Sequence, residues 1–331
     1  MRTSISIIIF ALLLIQCKPK ATEKTSKVVG LIADSAMVVS AREEASKIGV
    51  EILKKGGNAF DAMVATELAL AVSYPVAGNI GGGGFMVYRL NSGETGALDY
   101  REKAPILASK NMYLDENGDF IEDKSTLGAM AVGVPGTIAG IFETHKKFGT
   151  LPIETLIQPA INLAKNGIVI TKNQAKSLND SRVKFKKANN YTIYLDTIWK
   201  AGDTLKFLEL AITLERIKTN GKDEFYKGKT AEHIVNYIQE LGGIISMEDL
   251  EKYEAKWRTP ITFNYKDFQI TSMTLPSSGG ICLAQILKAI EPFNLDEIEH
   301  NSTKYIQLLT EAERRAYADR AHYLGDIDFV S

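Results

Sequence analysis

The segment from Ala59 to Ser73 limits the possible folds most, because it is apolar on nearly every side. It reads AFDAMVATELALAVS, which is typical of an α-helix, and the helix is expected to end before Pro75. A helix that is apolar nearly all round is buried on most of its sides. The rest of the chain must therefore supply layers that cover it.

Short strands are predicted on both sides of a long helical region. Residues 85–90 and 96–100 read as two strands joined by NSGET, a polar loop whose glycine suits a hairpin. TPITFNYKDFQITSM predicts a second pair, and most segments between the two pairs are helical. No internal repeat or long linker interrupts the pattern. We therefore expect one layered α+β domain.

The region before the buried helix carries weaker signals. VVGLIADSAMVVSA is rich in β-branched and small residues and predicts a strand or hairpin. Ser40 and Glu43 have the spacing of a capping box, which predicts that a helix starts there and continues to Gly56.

Composition excludes some classes of function. The chain has 331 residues, of which 45% are hydrophobic and 24% charged, as in ordinary globular proteins. Its 39 basic and 40 acidic residues give a net charge of -1, so no excess of cations is present to bind nucleic acid. The sequence suggests no metal or organic cofactor. A zinc site is not expected, because the histidines fall in separate predicted helices or at their edges without ligand spacing. They are His145, His233, His300 and His322.

Residues 1–17 resemble a bacterial export signal. Arg2 precedes an apolar run that is too short to span a bilayer but suits a secretory signal. The ending LIQC is similar to a lipoprotein signal, which predicts a lipid on Cys17, although Gln16 replaces the usual small residue. Residues 18–28 would then be a flexible tether. We expect an exported protein in the periplasm or cell envelope, with membrane attachment through Cys17 where that residue is lipidated; the alternative is an uncleaved signal anchor.

Four consecutive glycines, Gly81 to Gly84, raise the question of what approaches the backbone there. A phosphate loop needs a helix after its glycines and usually a lysine. Here the strand FMVYRL follows, and the next lysine is Lys103. We therefore expect close packing of backbone, or a turn with positive φ, rather than a phosphate site.

Three other motifs have structural interpretations that compete with functional ones. DENGDF has some of the ligand spacing of a calcium loop, but it lacks the distal glutamate and is better explained as a tight turn. PSSGG leads into a helix whose free N–H groups could face an anion, or which Ser277 or Ser278 could cap. Cys282 lies in an apolar helical pattern and is expected to be a buried hydrophobic residue.

Arg101 is the strongest candidate for ligand binding. In LDYREKAP, a strand delivers Asp99, Arg101 and Glu102 into the loop that follows. A guanidinium at a strand end can take a carboxylate in two parallel hydrogen bonds. Taken alone, such an arginine is more often part of a surface or structural ion pair than of a binding site.

Several of these motifs together resemble the large subunit of bacterial γ-glutamyltranspeptidases. The resemblance runs in order from about Val29 to the last residue, and its specificity comes from the number and order of the motifs. They are GGNAFDA, YPVAGNIGGGGFM, LDYREKAP, VPGTIAG, GKDEFYKG, LPSSGG and AYADRAHYLGD.

The resemblance implies an N-terminal-nucleophile hydrolase fold, an αββα sandwich of which residues 29–331 are the large-subunit part. In this family a precursor cuts itself before a threonine, which then attacks the γ-glutamyl amide of glutathione or a related compound. Water, an amino acid or a dipeptide resolves the acyl-enzyme. The family's D-[FY]-R-E motif assigns Arg101 to the α-carboxylate of the substrate.

The same resemblance places the remaining machinery outside this chain. The nucleophilic threonine is expected downstream of Ser331, in the small subunit made from the same precursor, so we expect this chain to be inactive by itself. The alternative is a non-catalytic exported lipoprotein remnant that binds γ-glutamyl or amino-acid ligands through Arg101.

Overall fold

The computed structural model describes residues 30–191, 194 and 197–329. The predicted signal, Cys17 and the tether lie outside these residues. The described residues divide into two units between Met37 and Val38. No helix within the described ranges is long and apolar enough to cross a bilayer.

Two helices begin the second unit, and the second of them is the buried helix predicted from sequence. Helix α1 spans Glu43–Lys54 and helix α2 spans Ala59–Ser73. The Asn58 side chain caps α2 by accepting hydrogen bonds from the backbone N–H groups of Phe60 and Asp61, and the Asp61 carboxylate returns a bond to the Asn58 N–H. Ten residues of α2 are buried, which confirms that layers cover it on several sides.

The largest sheet in the described residues has three antiparallel strands in the order β1, β2, β5. Strands β1 (Phe85–Arg89) and β2 (Thr95–Asp99) form the predicted hairpin, and β5 (Lys256–Arg258) pairs with the other edge of β2. Leu98 lies opposite Met86 on one side and Trp257 on the other. Two further pairs form separate two-stranded sheets: β3 (Ile168–Val169) with β4 (Thr204–Leu205), and β6 (Ile261–Tyr265) with β7 (Phe268–Ser272).

The remaining elements follow in chain order. They are α3 (Thr137–Phe148), α4 (Ile153–Asn166), β3 (Ile168–Val169), α5 (Lys172–Ala188), β4 (Thr204–Leu205), α6 (Leu208–Asn220), α7 (Lys222–Tyr226), α8 (Lys229–Glu240), α9 (Met247–Glu251), β6 (Ile261–Tyr265), β7 (Phe268–Ser272), α10 (Gly279–Ile290) and α11 (Thr303–Tyr323).

One face of the three-stranded sheet packs on helices. Met86, Tyr88, Leu98 and Tyr100 form a buried cluster on this face, against which Phe60, Met63 and Phe148 pack from α2 and α3. The opposite face carries Val87, which is 40% exposed, and the side chains of Asp99 and Arg258. The sheet is therefore apolar where it meets helices and charged at one end of its other face.

Two predictions for the region before α2 are wrong. Residues 30–41 form no strand, and Leu31 and Ile32 are 85% and 80% exposed, because β-branched residues need a neighbouring strand before their preference takes effect. Helix α1 starts without a capping box: Arg42 is its N-cap residue, and the Ser40 hydroxyl interacts with Ser46 and the Arg42 carbonyl instead.

Gly140 tests how tightly the sheet and α3 are packed. An added Cβ there would lie 2.3 Å from Cγ of the buried Tyr100 ring, whereas at Gly81 it would meet only Asn79 Oδ1 at 3.4 Å. We expect Gly140→Ala to lower the free energy of unfolding by about 2–3 kcal/mol. Gly81→Ala should change it by less than about 0.5 kcal/mol. Urea unfolding of the two variants checks this, and equal stability would contradict the packing described.

Candidate functional site

Arg101 lies just beyond the end of β2 with its backbone fixed and its side chain exposed. Its N–H donates to Asp99 Oδ1 at 3.1 Å, and its carbonyl oxygen accepts a hydrogen bond from the Tyr253 hydroxyl at 2.8 Å. Two backbone hydrogen bonds between Lys103 and Val134 hold the next part of the loop. The guanidinium is thus presented from a rigid support.

The Asp99 carboxylate connects this loop to the sheet. Asp99 Oδ2 accepts hydrogen bonds from Nη2 and Nε of Arg258 at 2.9 and 3.2 Å, and the two side chains are only 8% and 12% exposed. Arg258 also pairs with Asp328, and its hydrogen bonds, followed by those of Lys256, lower the Asp328 pKa to about 2. The structural ion pair of this region therefore belongs to Arg258, not to Arg101.

The Arg101 guanidinium has no carboxylate partner anywhere in the described chain. Its Nη1 donates a long hydrogen bond of 3.4 Å to the carbonyl oxygen of Pro276, and its carbon atom lies 6.0 Å from the centre of the Phe85 ring. The remaining N–H groups are available to a ligand. This is the arrangement expected of a carboxylate-binding arginine.

The glycine run packs against the strand end that carries Arg101. An added Cβ at Gly83 would lie 2.6 Å from the Tyr100 carbonyl oxygen, and at Gly84 it would lie 2.8 Å from the Tyr100 ring. Gly84 and Tyr100 exchange two backbone hydrogen bonds, and Gly82 accepts from the N–H groups of residues 136 and 137. The close backbone packing predicted for this run is confirmed.

The Arg101 side chain lines a cavity of about 570 Å³. The cavity is bounded by the glycine run, the turn before α10 and the last turn of α11. Its lining comprises Gly83, Gly84, Phe85, Arg101, Glu102, Leu275, Pro276, Ser277, Ser278, Arg320, Ala321, Leu324 and Gly325. A volume of this size suits a small organic molecule.

The turn before α10 differs in detail from the predicted cap. Ser278 occupies the N-cap position, but its side chain does not cap the helix and instead accepts a hydrogen bond from Arg320 Nε at 2.9 Å. Ser277 Oγ accepts from the Gly279 N–H at 3.3 Å. The two hydroxyl groups are thus divided between the helix start and the cavity.

A half-buried acid in α2 contacts the residue that follows β2. The Tyr100 hydroxyl donates to Glu67 Oε2 of α2 at 3.3 Å. Burial raises the pKa of Glu67 to about 7, an effect that the hydrogen bond from Tyr100 opposes, and burial likewise raises the pKa of Tyr100. Glu67 therefore titrates near neutral pH and contacts Tyr100, the residue that precedes Arg101.

The other candidate residues lie elsewhere. Asp115 Oδ1 accepts from the N–H groups of Asn117 and Asp119, and Gly118 has φ +85°, so DENGDF is the predicted tight turn. Cys282 is buried, as predicted. No cluster of metal-ligating side chains occurs within the described ranges.

Sequence reasoning missed three residues that shape the site. Arg258 contacts Asp99, which is 159 residues away in the chain, and Arg320 contacts Ser278, which is 42 residues away. No local pattern in the sequence marks either contact. Arg320 does stand within AYADRAHYLGD, which was singled out only as a family motif. Glu67 interrupts the apolar pattern of α2, and that interruption was the available signal.

Comparison with solved structures defines the class. The γ-glutamyltranspeptidase of Helicobacter pylori matches with a TM-score of 0.88 and 44% identity, over 92% of this chain and 88% of that chain. That of Pseudomonas nitroreducens, complexed with L-DON, matches with a TM-score of 0.87 and 45% identity, over 91% and 90% of the two chains. The fold is that of the N-terminal-nucleophile hydrolases, as predicted.

Sequence comparison gives the family. The family model described as Gamma-glutamyltranspeptidase matches residues 45–331, so this chain belongs to the γ-glutamyltranspeptidase family. The glutathione hydrolase proenzyme of Pseudomonas aeruginosa is 46% identical over 298 residues, which are 89% of this chain and 53% of the relative. The chain spans about half the length of the curated relatives it matches.

Asp99 is expected to matter for stability. Asp99→Asn keeps an acceptor for the Arg101 N–H but removes the negative charge that faces Arg258, whose side chain is only 12% exposed. Asp328 remains as a carboxylate partner of Arg258 and offsets part of this loss. We expect the free energy of unfolding to fall by about 2 kcal/mol. Asp223→Asn, which breaks an exposed pair with Lys227, should cost less than about 0.5 kcal/mol. Similar losses in urea unfolding would refute a special role for Asp99.

Glu67 is expected to make stability depend on pH. Because its folded-state pKa is raised to about 7 from 4.5, the folded protein keeps a proton that the unfolded chain has lost, and stability falls as pH rises through this window. Between pH 5.5 and 8 the free energy of unfolding of the unsubstituted chain should fall by about 2 kcal/mol more than that of Glu67→Gln. Urea unfolding at both pH values measures the difference, and parallel pH profiles for the two chains would disprove it.

Proposed function

We propose that this chain is the substrate-binding part of a γ-glutamyltransferase and glutathione hydrolase. The protein would cleave the γ-glutamyl amide of glutathione and related compounds through a γ-glutamyl acyl-enzyme, and pass the acyl group to water, an amino acid or a dipeptide. The observation that carries the proposal is the Arg101 guanidinium, which lines a cavity without a carboxylate partner in the described residues. The relatives named glutathione hydrolase proenzymes support it.

The proposed role of Arg101 is to bind the α-carboxylate of the γ-glutamyl group. Its fork of N–H donors matches a carboxylate in two parallel bonds, and a fixed backbone reduces the entropy lost when the ligand binds. The cavity places Glu102 beside it and the turn at Pro276 opposite. Binding here would fix one end of the substrate and leave the γ-amide free for attack.

We propose that the nucleophilic threonine is supplied by a small subunit from the same precursor, encoded beyond Ser331. In support, this chain covers 88% and 90% of two solved family chains but only about half of the curated proenzymes.

Export, with lipid on Cys17, is proposed from residues 1–17 alone.

Arg101→Gln tests the proposed function in the protein expressed from its complete reading frame. Removing the charge-assisted contacts should raise KM for a γ-glutamyl substrate roughly 10- to 100-fold, corresponding to about 1.5–3 kcal/mol. Steady-state hydrolysis of glutathione measures this. Arg89→Gln, which changes an exposed arginine at the far end of β1, is the matched control and should leave KM unchanged. An unaltered KM in Arg101→Gln would remove this residue from the binding site.

A further inference from the structure

A second arginine lines the same cavity as Arg101. Arg320 is in the last turn of α11, and its Nε donates to Ser278 Oγ at 2.9 Å. Arg101 contacts the same turn two residues earlier, at the Pro276 carbonyl oxygen. The Cα atoms of Pro276 and Ser278 are at most roughly 7 Å apart, because the two residues are two positions apart in the chain. The two guanidinium groups therefore converge on one wall of the cavity.

Arg320, like Arg101, has no carboxylate partner in the part of the chain that is described. Its guanidinium contacts the neutral Ser278 hydroxyl and the Tyr317 ring, whose centre lies 5.9 Å from the guanidinium carbon. The contrast with the less exposed arginines is clear. Arg42 pairs with Glu44, Arg216 with Glu224, and Arg258 with Asp99 and Asp328.

The charges of the cavity match one class of ligand. Its ionisable side chains are those of Arg101, Arg320 and Glu102, two cations and one anion. A γ-glutamyl peptide with a free C-terminus carries two carboxylates and one ammonium group, which is the complementary set. Like charges held close together favour a ligand that neutralises both.

We propose that Arg320 forms a second carboxylate subsite, which selects γ-glutamyl compounds whose leaving group ends in a free carboxylate. This inference rests on the proposed function, in which Arg101 holds the α-carboxylate. Arg320 then binds the far carboxylate of the same molecule, so that the γ-amide is suspended between two charged anchors. A substrate with a neutral leaving group uses only the first anchor.

The test compares two substrates that differ only in the second carboxylate. The protein expressed from its complete reading frame is assayed with glutathione and with glutathione whose C-terminal carboxylate is replaced by a carboxamide. The unsubstituted protein should prefer glutathione by about tenfold or more in kcat/KM, because one charge-assisted contact is lost with the amide. Equal kcat/KM values for the two compounds would overturn the proposal without any variant.

Variants assign the preference to a residue. Arg320→Gln should lower kcat/KM about tenfold for glutathione and less than about twofold for the amide, whereas Arg101→Gln should lower both. Arg320→Lys should recover part of the preference. Arg314→Gln, which changes an exposed arginine on the same helix that pairs with Glu311, is the control and should alter neither value. Thermal unfolding verifies that each variant is folded.

The outcomes separate this inference from the proposed function. If Arg320→Gln lowers kcat/KM equally for both substrates, or for neither, the second subsite is wrong while γ-glutamyl hydrolysis stands. If the protein neither hydrolyses the two compounds nor binds them in calorimetry, the proposed function fails, and the inference fails with it.

Discussion

The buried contact between Asp99 and Arg258 is the interaction on which the site depends. A carboxylate that is only 8% exposed would be costly without a partner, and Arg258 supplies two hydrogen bonds as well as an opposite charge. The second oxygen of Asp99 accepts from the Arg101 N–H. One carboxylate therefore joins β2 to β5 and also fixes the loop that presents the ligand-binding arginine.

This pairing also explains why the Arg101 side chain is available. Arg101 and Asp99 are close enough in sequence to form an ion pair, but Arg258 already satisfies Asp99 from the neighbouring strand. The next acidic residue, Glu102, lines the cavity without pairing to any described residue. Arg258 thus neutralises the buried charge of Asp99, and the exposed guanidinium of Arg101 keeps no carboxylate partner among the described residues.

Local patterns predicted the elements and one site residue, but not the contacts between distant segments. The largely apolar α2 and the hairpin were predictable, because the apolar pattern of a buried helix and the residues of a tight turn are both visible in a short stretch of sequence. Arg101 was found from its position at a strand end and from the family motif. Arg258 and Arg320 were missed, since their roles arise when segments 159 and 42 residues apart meet. Residues 30–41 have strand composition but no partner strand, and composition alone misled there.

Exposure decides how much the two cavity arginines can contribute. Arg101 and Arg320 are exposed in the described chain, and a carboxylate paired with one such cation in water gains at most about 1 kcal/mol. Two conditions increase this gain: bidentate geometry on a fixed backbone, and exclusion of water when the ligand and any covering segment fill the cavity. Two anchors on one ligand also share a single entropic cost of association, so the second contact contributes more than it would alone. Selectivity for a substrate with two carboxylates therefore follows from having both arginines on one wall, rather than from the strength of either.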